Sequence, residues 1–232
     1  AIGRGAQSEL LERMAQLDQE RGRLAMQYGK TLLQEAESRA LAHGASQVET
    51  LLRHGDFVEA LVELEAQARL MVVGKVGTDH AGEFTALGSH IESLIRQVHT
   101  SILITGAQFT APKSFMLAYD GRDTAERSLD RIIKGGLLTG LPCHLVMVGH
   151  HDDVHTGKFE AAAARLSHEG YQVTSSLLDG GVTDSLLNYQ REHDIGLLIM
   201  GAFAHSKVRH LFLGSNTIRM IQSSLSPLIV LR

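Results

Sequence analysis

Along residues 113–232 the apolar positions fall into short continuous runs separated by amphipathic stretches. "SFMLAYD", "HLVMVG", "YQVTSSLLDG", "IGLLIMG" and "SPLIVLR" read as strands. The uninterrupted runs "GLLIM" and "PLIVL" suit strands buried on both faces. Between them, "RDTAERSLDRIIKGGLLTG", "KFEAAAARLSHEG", "VTDSLLNYQREHD" and "GSNTIRMIQSS" read as helices, the second ended by Gly170. Strands alternating with helices predict a parallel sheet covered on both sides.

Ahead of this block the pattern changes. A long helix is expected from about Ser8, an N-cap residue type, to about His43. Its stretch "ERMAQLDQERGR" carries mixed charge, which reads as a solvated face, with a partner surface as the sharper alternative. Beyond it the chain begins to repeat itself. "AHGASQVETLLRHGDFVEALVELEAQARLMVVGK" (42–75) aligns with "SHEGYQVTSSLLDGGVTDSLLNYQREHDIGLLIMGA" (167–202). Gly44 falls on Gly170, Val48 on Val173, Gly55 on Gly180 and Gly74 on Gly201, with an offset of 125 to 127 throughout. Then "ALGSHIESLIRQVHTSILIT" (86–105) aligns with "FLGSNTIRMIQSSLSPLIVL" (212–231). That period is too long for a solenoid and indicates two copies of one domain. The copies are expected at 1–106 and 113–232, with 107–112 as the linker inside "GAQFTAPK".

The first copy has no counterpart of the strand–helix–strand at 113–150, a span of roughly 40 to 50 residues. A domain without its central strand would expose a large apolar face. The expectation is therefore that such a segment exists ahead of Ala1 rather than that the domain is shortened.

On these residues the chain resembles the tandem members of the universal stress protein family. Nucleotide-binding members carry Gly, two residues, Gly, nine residues, then Gly-Ser after the fourth strand of the domain. Here the second copy has Gly201, two residues, Ala204, nine residues, then Gly214-Ser215. "HD" before "IGLLIMG", and "SPLIVL" at the end, also fit the family's pattern. The resemblance covers essentially the whole chain. It implies an α/β fold of two tandem flavodoxin-like domains of the adenine nucleotide alpha hydrolase type, the first lacking its N-terminal strand–helix–strand. It implies a stress-response protein that binds ATP or a related adenine nucleotide, with or without Mg2+. It further implies pairing through the final strands "SILIT" and "PLIVL", giving an internal pseudo-dimer, and a homodimer of chains besides.

The loop after "IGLLIM" has chemistry that fits this. An open parallel sheet binds ligands outside the carboxyl ends of its strands, where the chain order reverses. Gly201 allows a sharp turn and close backbone approach. Gly214, Ser215 and Asn216 open a helix whose unpaired N–H groups favour anions, and Ser215 adds a hydroxyl donor. Lys207, Arg209 and His210 bring positive charge. The plain alternative is a strand–loop–helix with Ser215 as N-cap and Gly201 as a turn residue. Alanine at 204 costs on the order of 1 kcal/mol if that position needs a positive φ.

Asp120 ends the first strand of the second copy. In nucleotide-binding members the matching aspartate lies beside the adenosine; the alternative is a cap for the helix beginning near Arg122. Val148 would flank adenine through its backbone, or is simply core. The first copy has Gly74, Gly77, Gly88 and Ser89, but ten residues separate Gly77 from Gly88, and Asp79 and Glu83 add negative charge. It is expected to be an empty or degenerate site.

Composition trims the alternatives. With 232 residues, 44% apolar and 21% charged, the chain suits a globular protein. A net charge of −4 disfavours a nucleic-acid binder. No apolar run reaches the ~20 residues of a membrane span, and "AIGRGAQSELLERM" lacks a signal-peptide core. The single cysteine, Cys143, suits a reducing cytoplasm and reads as a buried inert thiol.

Other candidates are weaker. "GRLAMQYGKT" has six residues between Gly22 and Gly29 where a P-loop needs four, and "HTGKFE" has Asp152 at the required glycine. In "GHHDDVHTGK", His150, His151, Asp152, Asp153 and His155 offer metal-ligating groups, but a solvated loop is the better reading. No G-x-S-x-G elbow is present. No general base can be placed, so weak ATP hydrolysis is a lesser alternative, as is a scaffold that binds no nucleotide.

Overall fold

The computed structural model describes residues 4–75, 89–106, 108–136, 138–149, 152–201 and 215–232. Helix α1 spans Arg4–Ala42, α2 Phe57–Leu64, α3 Ser89–Gln97, α4 Asp123–Gly135, α5 Asp153–His168, α6 Val182–Glu192 and α7 Ser215–Ser223. The strands are β1 Leu70–Gly74, β2 Ser101–Thr105, β3 Phe115–Ala118, β4 Cys143–Val148, β5 Val173–Leu178, β6 Leu197–Gly201 and β7 Leu228–Leu231. The chain forms two compact units, Ala1–Asp56 and Phe57–Arg232.

The first unit is α1 and the segment that follows it. Its composition explains the helix: Leu, Ala, Glu, Gln and Arg predominate, without proline. Spacing of four residues lets Arg13 pair with Glu9 at 3.0 Å and Arg39 with Glu35 at 2.5 Å. Gly29 has a packing reason, because a Cβ there would come within 2.8 Å of Leu52 Cδ1. Gly44, with φ +95°, stands just past the helix end and donates its N–H to the Leu41 carbonyl. Residues 47–52 align by repeat with β5, yet they form no strand. The reason is pairing: β5 lies beside β4, whereas among the described residues no strand precedes β1, so 47–52 have no ladder to join there.

The second unit is built on one seven-stranded sheet in the order β1-β2-β7-β6-β3-β4-β5. All neighbours are parallel except β2 and β7, which run antiparallel with Ile102 opposite Val230 and Ile104 opposite Leu228. Alternation along each strand divides the core into two layers. Met116, Val146, Leu198 and Val230 face one side and pack with residues of α2, α3, α6 and α7. Phe115, Leu117, Leu145, Ile199 and Ile229 face the other and pack with residues of α4 and α5. The strand ends of the first copy are tied down by side chains. Glu65 accepts the backbone N–H groups of His99 and of Thr100, the latter at 2.6 Å.

The two copies differ in cover. Ile199 on β6 is 0% exposed, whereas its repeat counterpart Val72 on β1 is 61% exposed. β6 lies under α4 and beside β3, while β1 is an edge strand.

Candidate functional site

Strands β6, β3 and β4 lie side by side and parallel, so their carboxyl ends open on one edge. The chain order reverses at β3, with β4 and β5 on one side and β6 and β7 on the other. This is the topological position where open α/β sheets leave a crevice. Ala118 is opposite Val146, and Leu117 is opposite Ile199. Continuing that register puts Asp120 level with Val148, and Tyr119 level with Gly201. Three positions singled out in the sequence, Asp120, Val148 and Gly201, therefore share one edge.

Asp120 is already engaged locally. Its Oδ1 accepts the Arg122 N–H at 3.1 Å, and its Oδ2 faces Arg122 Nη1 at 3.4 Å. This is an aspartate turn ahead of α4. The N-cap of α4 is Arg122 itself, with no side-chain cap bond, so Asp120 shapes the approach to the helix rather than capping it. Its side chain keeps 32% exposure. A carboxylate has about four lone-pair sites, so acceptor capacity remains. The Val148 side chain is in the core, at 7% exposure.

Two glycines overlooked in the sequence shape this edge. Gly121 follows Asp120 with φ +70°, and Gly149 follows Val148 with φ +75°. Both need the left-handed region, which glycine enters freely. Gly121 is also tightly covered, since a Cβ there would come within 3.3 Å of His155 Cδ2 and 3.5 Å of Lys158 Cδ. Lys158 donates from Nζ to the Gly121 carbonyl at 2.9 Å. Lys158 lies 37 positions from Gly121, in the second turn of α5, and no local motif announces their meeting. It adds a cation beside Arg122 at this edge.

Gly201 has a packing part besides the one expected. It is not among the positive-φ glycines. Its side faces α4, where a Cβ would meet Thr124 Cβ at 3.4 Å and Ser128 Oγ at 3.5 Å. Close approach of strand and helix is therefore one reason for a glycine here, while the turn expected after it lies outside the described residues. Ser215 opens α7, where it is exposed, and Asn216 follows half-buried. Ala204, Lys207, Arg209, His210 and Gly214 lie outside the described residues.

In the first copy, Gly74 ends β1 and Ser89 starts α3; Gly77 and Gly88 lie outside the described residues. Lys75 donates from Nζ to the carbonyls of Gln222 at 2.6 Å and Ser224 at 3.1 Å. It therefore closes the C-terminal end of α7 rather than standing ready for an anion. Burial lowers its ammonium below the usual lysine range.

The histidine-rich loop resolves into a helix cap. Asp152 is the N-cap of α5, accepting the His155 N–H at 3.1 Å and lying 2.7 Å from His155 Nδ1. Those bonds, the backbone one foremost, hold its carboxyl below the usual range. Asp153 is the first residue of α5, and His150 and His151 lie outside the described residues. Among the described residues no group of three or more His, Cys, Asp or Glu could hold a metal ion. Cys143 is buried, and burial pushes its thiol up to about 12, in keeping with an inert role. No described helix is long and apolar enough to cross a membrane.

Comparison with known proteins adds the following. The profile of the Universal stress protein family matches residues 4–106 and again 112–232. Universal stress protein Slr1230 of Synechocystis sp. is 29% identical over 234 aligned positions, covering 100% of this chain and 82% of that protein. A universal stress protein from Archaeoglobus fulgidus has a similar structure, with a TM-score of 0.73 and 21% identity over 89% of this chain and 79% of that one. The crystal structure of a putative universal stress protein from Pseudomonas aeruginosa UCBPP-PA14 gives a TM-score of 0.65 and 14% identity over 87% and 77%.

Proposed function

Since the chain belongs to the universal stress protein family, we propose that it is a cytoplasmic stress-response protein that binds ATP or a related adenine nucleotide in its second copy. The observation that carries this reading is the shared edge of β6, β3 and β4 at the reversal of sheet order. Asp120 stands there with acceptor capacity toward ribose hydroxyls or an adenine amine. The Val148 backbone is level with it. Gly201 leads toward the Gly214-Ser215-Asn216 helix opening, whose N–H groups suit phosphates. Lys207 and Arg209 would add charge to the same tail, with Ala204 close to it. Arg122 and Lys158 place two cations at this edge, which supports binding of a polyphosphate whether or not Mg2+ accompanies it.

In this reading the copies are 1–106 and 113–232, joined by 107–112, and the first copy, with Gly74, Gly77, Gly88 and Ser89, is idle. The engagement of Lys75 with α7 supports that idleness. The β2–β7 pairing supports an internal pseudo-dimer, and a further homodimer of chains is compatible with it.

Two measurements test the proposal. Mass analysis of small molecules released from the purified, denatured protein should find an adenine nucleotide. Calorimetric titration with ATP should give heat for the wild type and at least tenfold weaker binding for Asp120→Ala and for Gly214→Glu. No released nucleotide and no heat with ATP would leave the scaffold reading in its place. Multiple-turnover phosphate release would instead promote the ATPase reading.

A further inference from the structure

A second cluster of polar chemistry lies on the α6 side of the sheet, near the amino end of β4. His144 is the second residue of β4 and points to the face opposite Cys143 and Leu145. Its Nδ1 lies 3.1 Å from the Tyr189 hydroxyl, which in turn lies 2.9 Å from Ser176 Oγ on β5. Tyr189 is on α6 and 6% exposed. His193 closes the C-terminal end of α6. Its ring stacks on Tyr189 at 4.1 Å between centroids and lies 5.3 Å from the ring of His144. The proposed nucleotide edge is at the other end of β4, some 13 Å away at the ~3.3 Å rise of a parallel strand.

From this juxtaposition we infer that His144 and His193 together form a binding site for a divalent transition-metal ion of the Zn2+ or Cu2+ class. A metal–imidazole bond of ~2.0–2.1 Å, plus about 1.1 Å from nitrogen to ring centre, puts each centroid ~3.2 Å from the ion. At a tetrahedral angle two such rings have centroids about 5.2 Å apart. The observed separation is 5.3 Å.

A ligating imidazole commonly commits its other nitrogen to a fixed partner, which sets its tautomer and orientation. When the Tyr189 hydroxyl donates to Ser176, His144 Nδ1 is left to donate to Tyr189, and Nε2 carries the lone pair. The ring of Tyr189 then holds His193 from the side. His193 is exposed, so an ion has access and water can fill the remaining positions. Two protein ligands make a site of moderate strength, and imidazole donors select Zn2+, Cu2+ or Ni2+ over Mg2+ or Ca2+.

The test uses the full chain, freed of metal by chelation, with His150→Ala and His151→Ala as a background that removes two other candidate metal-binding histidines. Calorimetric titration with Zn2+ should show a micromolar site that weakens at least tenfold in His193→Ala, an exposed change that leaves the fold intact. Tyr189→Phe should weaken it less, because the ligands remain while their orientation loosens. Imidazole NMR should show the His144 and His193 resonances shifting together on Zn2+ addition. Unchanged Zn2+ affinity in His193→Ala, or ring resonances that ignore the metal, would overturn the inference.

Discussion

At the scale of single residues, the turn after β3 shows how one backbone angle sets the edge of the candidate site. Gly121 has φ +70° and lies under His155 and Lys158. An alanine there pays a left-handed strain of ~1–2 kcal/mol, before any crowding by the imidazole. Gly121→Ala should therefore lower stability by about that amount in urea unfolding at neutral pH. It should also weaken ATP binding, because Asp120 and Arg122 are set by the same turn. An unchanged midpoint would mean the turn relaxes freely. Neither Gly121 nor Lys158 was legible in the sequence. "AYDGRD" shows a glycine but not its φ, and Lys158 reaches Gly121 only once α5 folds across the sheet. Gly201 was legible as a strand end, but its packing against Thr124 and Ser128 was not, because that contact depends on a helix far off in sequence.

At the scale of elements, the apolar runs of the second copy were read with little loss. A buried parallel strand needs both faces apolar, and that leaves a continuous mark. "HLVMVG" became Cys143–Val148, and "IGLLIMG" became Leu197–Gly201. Helix ends were harder. The helix expected through "GGLLTG" stops at Gly135, because Gly136 takes φ +56° and its N–H returns to the Ile133 carbonyl. In the first copy, 47–52 has strand-like letters but no strand among the described residues to pair with, which local pattern does not reveal. Helix α7 illustrates the cross-copy dependence best. Its C-terminal carbonyls accept from Lys75, a residue of the first repeat. Lys75→Met should cost about 1 kcal/mol through loss of the cation at the helix end. Hydrogen exchange should rise in the last turn of α7 while β4 and β5 stay unaffected. Uniform exchange across the sheet would argue against a local cap.

At the scale of the whole molecule, each of the two units stands on its own arrangement, and the second rests on its unbroken sheet. Ile102 and Val230 face each other across the antiparallel seam, both at 0% exposure. Truncating Ile102 to alanine should cost ~2–5 kcal/mol, as for other buried large-to-small changes. The loss should appear as a shift of one cooperative transition for residues 57–232, followed by far-UV dichroism. Two separate transitions in Ile102→Ala would mean that the halves melt independently. The existence of a seam was implied by the family resemblance, but its register was not, since no single-strand pattern fixes which residues meet.

The antiparallel β2–β7 seam has a consequence for how this molecule responds to dilution. Were the halves separate polypeptides, their union would weaken as concentration fell. Joined by a short tether, each sees the other at an effective concentration in the millimolar range. The partnership is thereby permanent, and the halves no longer need to match. One can serve as a support for its neighbour, as the lysine lodged against the far helix does.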